Sequence, residues 1–60
     1  MTRQDWQISI ENTAASVAAK YGSKVAASVF SRYGATCFED LSPIYYSEVF
    51  GDLMFIDEDG

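Results

Sequence analysis

Sixty residues with nine acids, four bases and no histidine carry a net charge of −5, and the lone Cys37 excludes an internal disulfide. A chain this short makes one domain at most and buries only about 60% of the surface it exposes unfolded, so its nine Trp, Tyr and Phe side chains must carry much of the core. The same totals exclude histidine-based acid–base work, leave a zinc site almost only carboxylates, and offer no apolar run near the roughly 20 residues of a membrane span.

The chain opens on a capping box. The Thr2 hydroxyl precedes the Asp5 carboxylate by three residues, and Trp6, Ile10, Ala14, Val17 and Tyr21 then continue at helical spacing. Trp6, Ile8 and Ile10 also alternate as a strand would. A lone strand has no partner in so short a chain except another copy, so a helix is expected, with Ile8 off its main stripe. Next, the run Ala14–Gly22 is nearly restated as Ala26–Gly34: alanine-rich residues, a base, Tyr, then Gly. A cation at the negative end of a helix followed by glycine is a stop signal, so two successive helices are expected to end by one device. Ser23 is expected to cap the second helix, after a loop of two or three residues, making an αα-hairpin. Small side chains at Ala14, Ala18, Ala26 and Ala27 would allow close approach. Two copies at a twelve-residue period are too few and too short for a solenoid, so the repetition reads as scaffold.

Beyond Gly34, Thr36 and Glu39 form a second capping box for a short turn ending near Leu41. Ser42 and Pro43 start a last helix with proline at its first position. Tyr45, Tyr46, Val49, Phe50, Leu53 and Ile56 share its inner face, and Gly51 interrupts it at a cost of up to about 1 kcal/mol against alanine, marking a close contact or an early end. Residues 57–60 are expected to fray, since Asp57, Glu58 and Asp59 crowd the negative end of the dipole with no base nearby in sequence. The reading is a single all-α domain over residues 1–60, three to four helices on an αα-hairpin. Its core is expected to be Trp6, Ile10, Val17, Tyr21, Val25, Val29, Phe30, Tyr33, Phe38, Leu41, Tyr45, Val49 and Leu53.

Charge divides the chain. Residues 1–34 hold all four bases (Arg3, Lys20, Lys24, Arg32) against two acids (Asp5, Glu11), a net +2, whereas residues 35–60 hold seven acids and no base, a net −7. This serves solubility and attraction between halves, or offers an acidic surface to a basic partner.

No constellation supports catalysis, a cofactor or a metal. No glycine-rich phosphate loop comes after a strand, and Asp57–Gly60 lacks the spacing of a calcium loop. Cys37 has Glu39 and Asp40 beside it, which oppose a thiolate, so a structural thiol is expected. A helix-turn-helix DNA-binding regulator is the alternative reading: Ala18–Ser23 resembles a first helix and its turn, and Lys24, Ser28 and Arg32 would line the second helix. Ser28 stands where an apolar anchor belongs, and so few bases fall short of the six to ten phosphate contacts of a typical site, so direct nucleic-acid binding is not expected. The third reading is a protein-binding face. Ile44 and Phe55 flank Glu48 and Asp52 on the side of the last helix the core does not need, with Glu39 and Asp40 adding charge. Against it stands an ordinary solvated face with stray apolar residues. The surplus of Ile8, Ile44 and Phe55 also leaves a homodimer open.

From Lys20-Tyr21-Gly22 through Arg32-Tyr33-Gly34-Ala35 to Glu39-Asp40-Leu41-Ser42-Pro43-Ile44-Tyr45-Tyr46-Ser47-Glu48-Val49-Phe50, about the last two thirds of the chain, the sequence resembles a conserved family carried on mobile elements of Gram-positive gut bacteria, as small proteins and as parts of larger ones. The resemblance brings no activity and no site residues. It implies an intracellular bacterial setting where small acidic proteins often act by binding other proteins. Met1 leads into polar residues rather than a basic-then-apolar leader, and a single thiol suits a reducing cytosol, so a cytoplasmic location is expected. The expected function is a non-catalytic interaction module or small inhibitor whose acidic helical face meets a basic or nucleic-acid-binding protein.

Overall fold

The computed structural model describes residues 1–59: α1 (Arg3–Tyr21), α2 (Ser23–Ser31), two 3-10 turns (Phe38–Asp40 and Pro43–Tyr45) and α3 (Tyr46–Asp59), with no strand among them. It is the all-α fold expected, with Trp6–Ile10 wholly helical.

The capping box at the start of α1 forms as the sequence dictates. The Asp5 amide donates to Thr2 Oγ1 at 3.2 Å, and the Thr2 amide donates to Asp5 Oδ2 at 3.1 Å. At 19 residues α1 is about 28 Å long by the helical rise of ~1.5 Å per residue. The long axis of the molecule is 28 Å, so α1 spans it end to end. It touches α2, α3 and the first 3-10 turn.

The two Tyr-Gly stops turn out to be different devices. Gly22 is the entire connection between α1 and α2, at φ 104° and ψ 152°, a region open essentially to glycine. Its amide donates to Ala18 O at 2.9 Å, closing α1, and its carbonyl accepts from the Val25 amide at 3.2 Å, opening α2. Gly22, not Ser23, therefore occupies the cap position, and Ser23 is already helical. The expected loop of two or three residues shrinks to one, because the same residue serves both helix ends. Gly34, at φ 75°, ends α2 by a Schellman pattern: its amide donates to Ser31 O at 3.1 Å and the Ala35 amide reaches Phe30 O at 3.1 Å. Ala35 is buried by that turn.

The turn after Ala35 caps one residue later than expected. Cys37, not Thr36, holds the cap position, and the third residue is Asp40 rather than Glu39. The Asp40 carboxylate accepts from the amides of Thr36 and Cys37, both at 3.1 Å, and from Thr36 Oγ1 at 3.0 Å. Its short side chain lies close enough to gather all three. Pro43 opens the second 3-10 turn as predicted, but the α-helix proper begins at Tyr46.

The inner stripe of α3 decides which tyrosine is inside. Tyr46 is the first residue of α3 and stands at i, i+3, i+7 with the enclosed Val49 and Leu53, whereas Tyr45 belongs to the 3-10 turn before it. Tyr46 is buried and Tyr45 only half-buried, the reverse of the expected choice. The Tyr46 ring stacks on Phe38 at 4.9 Å and meets Trp6 at 6.1 Å, while Phe50 sets its edge to Trp6 at 6.1 Å. Around this cluster the fully enclosed side chains are Ile10, Val17, Val29, Phe38, Val49 and Leu53. Tyr21, expected inside, is exposed at the corner where α1 ends, and Trp6, Val25 and Tyr33 pack against the core from its edge. A molecule only 14 Å thin has many such edge positions.

Trp6 near the start of α1 meets Tyr46 and Phe50 near the start of α3, and Ser16 and Lys20 near its end meet Asp57 near the end of α3. The two helices thus run the same way. α3 is helical through Asp59, and α1 supplies beside Asp57 the base that is missing nearby in sequence. Lys20 Nζ lies 2.9 Å from Asp57 Oδ1 and 3.3 Å from Asp57 O, and Ser16 Oγ donates to the same carboxylate at 2.7 Å. Gly60 lies outside the described residues.

Gly22 and Gly51 should respond oppositely to alanine. Gly22→Ala places an L side chain at φ 104° and is expected to lose about 1–3 kcal/mol in urea melts. Gly51 is helical with nothing within 4 Å of an added Cβ, so Gly51→Ala should gain up to about 1 kcal/mol.

Candidate functional site

The expected partner-binding residues separate into two groups. Glu48, Gly51, Asp52 and Phe55 fall on one side of α3 by their i, i+3, i+4, i+7 spacing, and Ile44 stands just ahead in the 3-10 turn. Ile44 is 74% exposed and Phe55 70%, and Glu48 is exposed between them without an ion-pair partner among the described residues. Asp52 stands at the edge: it accepts the Tyr33 hydroxyl at 2.6 Å, and Arg32 lies 4.0 Å away. That acceptance, with the carboxylate so close, raises the Tyr33 pKa above its ordinary value.

Glu39 and Asp40 belong elsewhere. Glu39 faces the start of α1, taking Arg3 Nη2 at 3.4 Å and Gln7 Nε2 at 3.3 Å. Arg3 in turn lies over the Phe38 ring, 5.2 Å from its centre, so one guanidinium fastens the 3-10 turn to α1 by charge and by π-face. Asp40 is occupied in holding Thr36 and Cys37.

Three carboxyls are thereby held below their usual range, each for a visible reason. Asp5 accepts the Thr2 amide, Asp40 accepts the Cys37 and Thr36 amides, and Asp57 accepts Ser16 and then Lys20. Lys20 is raised in return, chiefly by its hydrogen bond to Asp57. These acids serve the fold. Those left to face solvent without such a partner are Glu11, Glu48 and Glu58 among the described residues.

A shallow groove of about 310 Å³ lies between α1 and α2. Ala14, Ala15 and Ala18 form one wall, Ala26, Ala27 and Phe30 the other. Alanines bring the helices together at the corner but do not fill the angle between them. Glu11 is the one ionisable carboxylate on its lining, and Cys37 is exposed at the same groove with its thiol 3.7 Å from Asp40 Oδ1. No set of three His, Cys, Asp or Glu side chains converges as a metal site needs among the described residues, and no helix there is long and apolar enough to cross a membrane.

Compared with family models, curated proteins and solved structures, the chain matches none. The outer face of α3 is therefore weighed on its own chemistry. Sequence reading missed that Asp52 is half spoken for and that Glu39 and Asp40, though exposed, are engaged by Arg3 and Gln7 and by the Thr36 and Cys37 amides. The Arg3–Glu39 and Tyr33–Asp52 pairs span 36 and 19 positions, which no local pattern reveals.

The three lowered carboxyls predict a loss of stability in acid. A group whose folded pKa is depressed adds stability that is present above its unfolded value, about 3.9, and is lost as pH falls through the folded one. Thermal melts should hold steady from neutrality to about pH 5 and drop below about pH 4. Asp57→Asn should melt below wild type at pH 7, with the gap closing as pH falls through the lowered Asp57 pKa. A gap that persists unchanged in acid would assign the loss to packing instead of charge.

Proposed function

We propose that this chain is a non-catalytic interaction module, or small inhibitor, that presents the outer face of α3 to a protein partner. One observation carries the reading: two large apolar side chains, Ile44 and Phe55, stand about three-quarters exposed on either side of an unpaired Glu48, while the core closes without them. Scattered single apolar residues are ordinary on a surface; two on one helical side with the free carboxylate of Glu48 between them make a patch with a chemical character. That character is acidic and apolar, so the expected partner is basic, a class that includes nucleic-acid-binding proteins.

The resemblance to mobile-element segments supplies context, a bacterial cytoplasm where small acidic proteins engage host proteins. The DNA-binding alternative loses ground on geometry. Its motif joins two helices by a turn of three or four residues, whereas Gly22 alone joins α1 to α2. Arg32, which would face phosphates, already lies beside Asp52.

Side-chain contacts also guide the choice of variants. Asp52 holds Tyr33, so changing it would mix binding with stability. Glu48→Lys combined with Phe55→Ala leaves the internal bonds intact. The tagged wild-type chain is expected to retain one stoichiometric partner from a lysate of its host, and the double variant to lose it while melting within a few degrees of wild type. Equal recovery by both would refute the proposal.

A further inference from the structure

The centre of that outer face is Gly51, and the fold gives it no task. Its backbone is helical, the helix runs on for two more turns, and an added Cβ would meet nothing within 4 Å. Glycine in a helix interior is disfavoured relative to alanine, so the residue weakens α3 without serving it. What an exposed helical glycine does allow is close approach of another backbone. Ser47, one turn earlier, is also small and exposed, so the two leave a notch with Ile44 at one end and Phe55 at the other. Eleven residues separate those ends, about 16 Å along the axis, or three turns.

Charge says what fills the notch. Glu48 and Glu58 flank Gly51 at i−3 and i+7, both exposed and without an ion-pair partner among the described residues, and Asp52 adds a partly exposed carboxylate at the edge. No base stands anywhere in residues 35–60. A second copy laid against this face would set carboxylates against carboxylates. A basic occupant is complementary, and a convex helix surface with a small-residue notch accepts the ridge of another helix, whereas an extended strand needs a sheet edge that this fold lacks among its described residues.

We infer that the outer face of α3 receives a basic amphipathic helix of the partner protein, crossing at Gly51. Its apolar stripe lies between Ile44 and Phe55, and its Lys or Arg side chains meet Glu48, Asp52 and Glu58. The inference rests on the interaction-module reading and sharpens it to one kind of partner.

The probe is a synthetic Leu/Lys peptide of about 18 residues with leucines on one helical stripe, against a shuffled peptide of identical composition with no stripe. Both are titrated into the ¹⁵N-labelled chain at about 150 mM salt, where surface charge alone is well screened. The striped peptide is expected to bind at least about tenfold more tightly, with the largest amide shifts between Ile44 and Glu58. Gly51→Leu should weaken it about tenfold while melting no lower than wild type, since leucine is the better helix former. Equal binding of the two peptides, shifts centred on the α1–α2 groove, or undiminished binding by Gly51→Leu each overturns the inference. If the striped peptide fails to bind but Glu48→Lys/Phe55→Ala still loses a captured partner, the helical occupant is refuted and the interaction reading survives.

Discussion

Everything in this fold depends on α1 and α3 lying side by side in the same direction. Two consecutive long helices can be antiparallel with a short loop; two parallel ones need the chain to travel back the length of the first. Here that return takes residues 22–45, of which α2 supplies about 13 Å and the two 3-10 turns the rest. The single-residue corner at Gly22 sends α2 back along α1 immediately, and the Schellman turn at Gly34 redirects the chain under the start of α1. Phe38 and Leu41 then plug that end, and Tyr46 begins α3 against Trp6. Parallel packing has an electrostatic cost, because both negative helix ends fall together. Lys20 sits between them, answering the Asp57 carboxylate and carbonyl of α3 from the last turn of α1.

This constraint separates what the sequence made legible from what it did not. Devices that act within four or five residues were readable: the Thr2–Asp5 box, proline at position 43, glycine at both corners and the inner stripe of α1. The residue at which the last α-helix begins was not. Nothing in Ser42-Pro43-Ile44-Tyr45 says that its turn is 3-10 and that α3 starts only at Tyr46, and the expected helix admitted either tyrosine to its inner face. The apparent repeat misled for a related reason. Tyr-Gly at 21–22 and 33–34 specifies that a helix stops, but whether a new helix starts at once depends on the next three residues. Ser23-Lys24-Val25 continues helical, whereas Ala35-Thr36-Cys37 does not. The tail looked bare because its counter-charge is 37 positions away.

The acidic half of the chain looks different once the fold distributes it. Read linearly, seven carboxylates without a base suggested one broad negative surface. In the structure Glu39 faces Arg3, Asp40 holds a loop, Asp52 takes a tyrosine hydroxyl and Asp57 anchors the end of α3. The attraction between halves and the acidic surface are therefore not competing explanations; Glu39, Asp52 and Asp57 serve the first, Asp40 serves its own loop, and a few acids are left for the second. What remains, Glu48 and Glu58 beside Ile44 and Phe55, is smaller than the sequence suggested and better defined. These residues belong to one helix and the turn that starts it, and the opposite side of that helix is locked into the core by Val49 and Leu53.

The three described glycines complete the distinction between scaffold and surface. Gly22 and Gly34 have positive φ and are required by corners the chain must turn. Gly51 has neither a positive φ nor a neighbour that excludes a Cβ, so the isolated domain would be more stable with alanine there. A domain of this size has only a few kcal/mol of stability in total, about 0.05–0.15 kcal/mol per residue, and a residue that forgoes up to about 1 kcal/mol of it weighs on the whole. The same helix leaves Ile44 and Phe55 in water, on the same side as that glycine. Each feature alone is ordinary, and each runs against the interest of a solitary domain. Their coincidence on one face of a helix that is otherwise correctly built, preceded by the Pro43 turn and anchored by Asp57, is what the proposal of a partner outside the chain rests on.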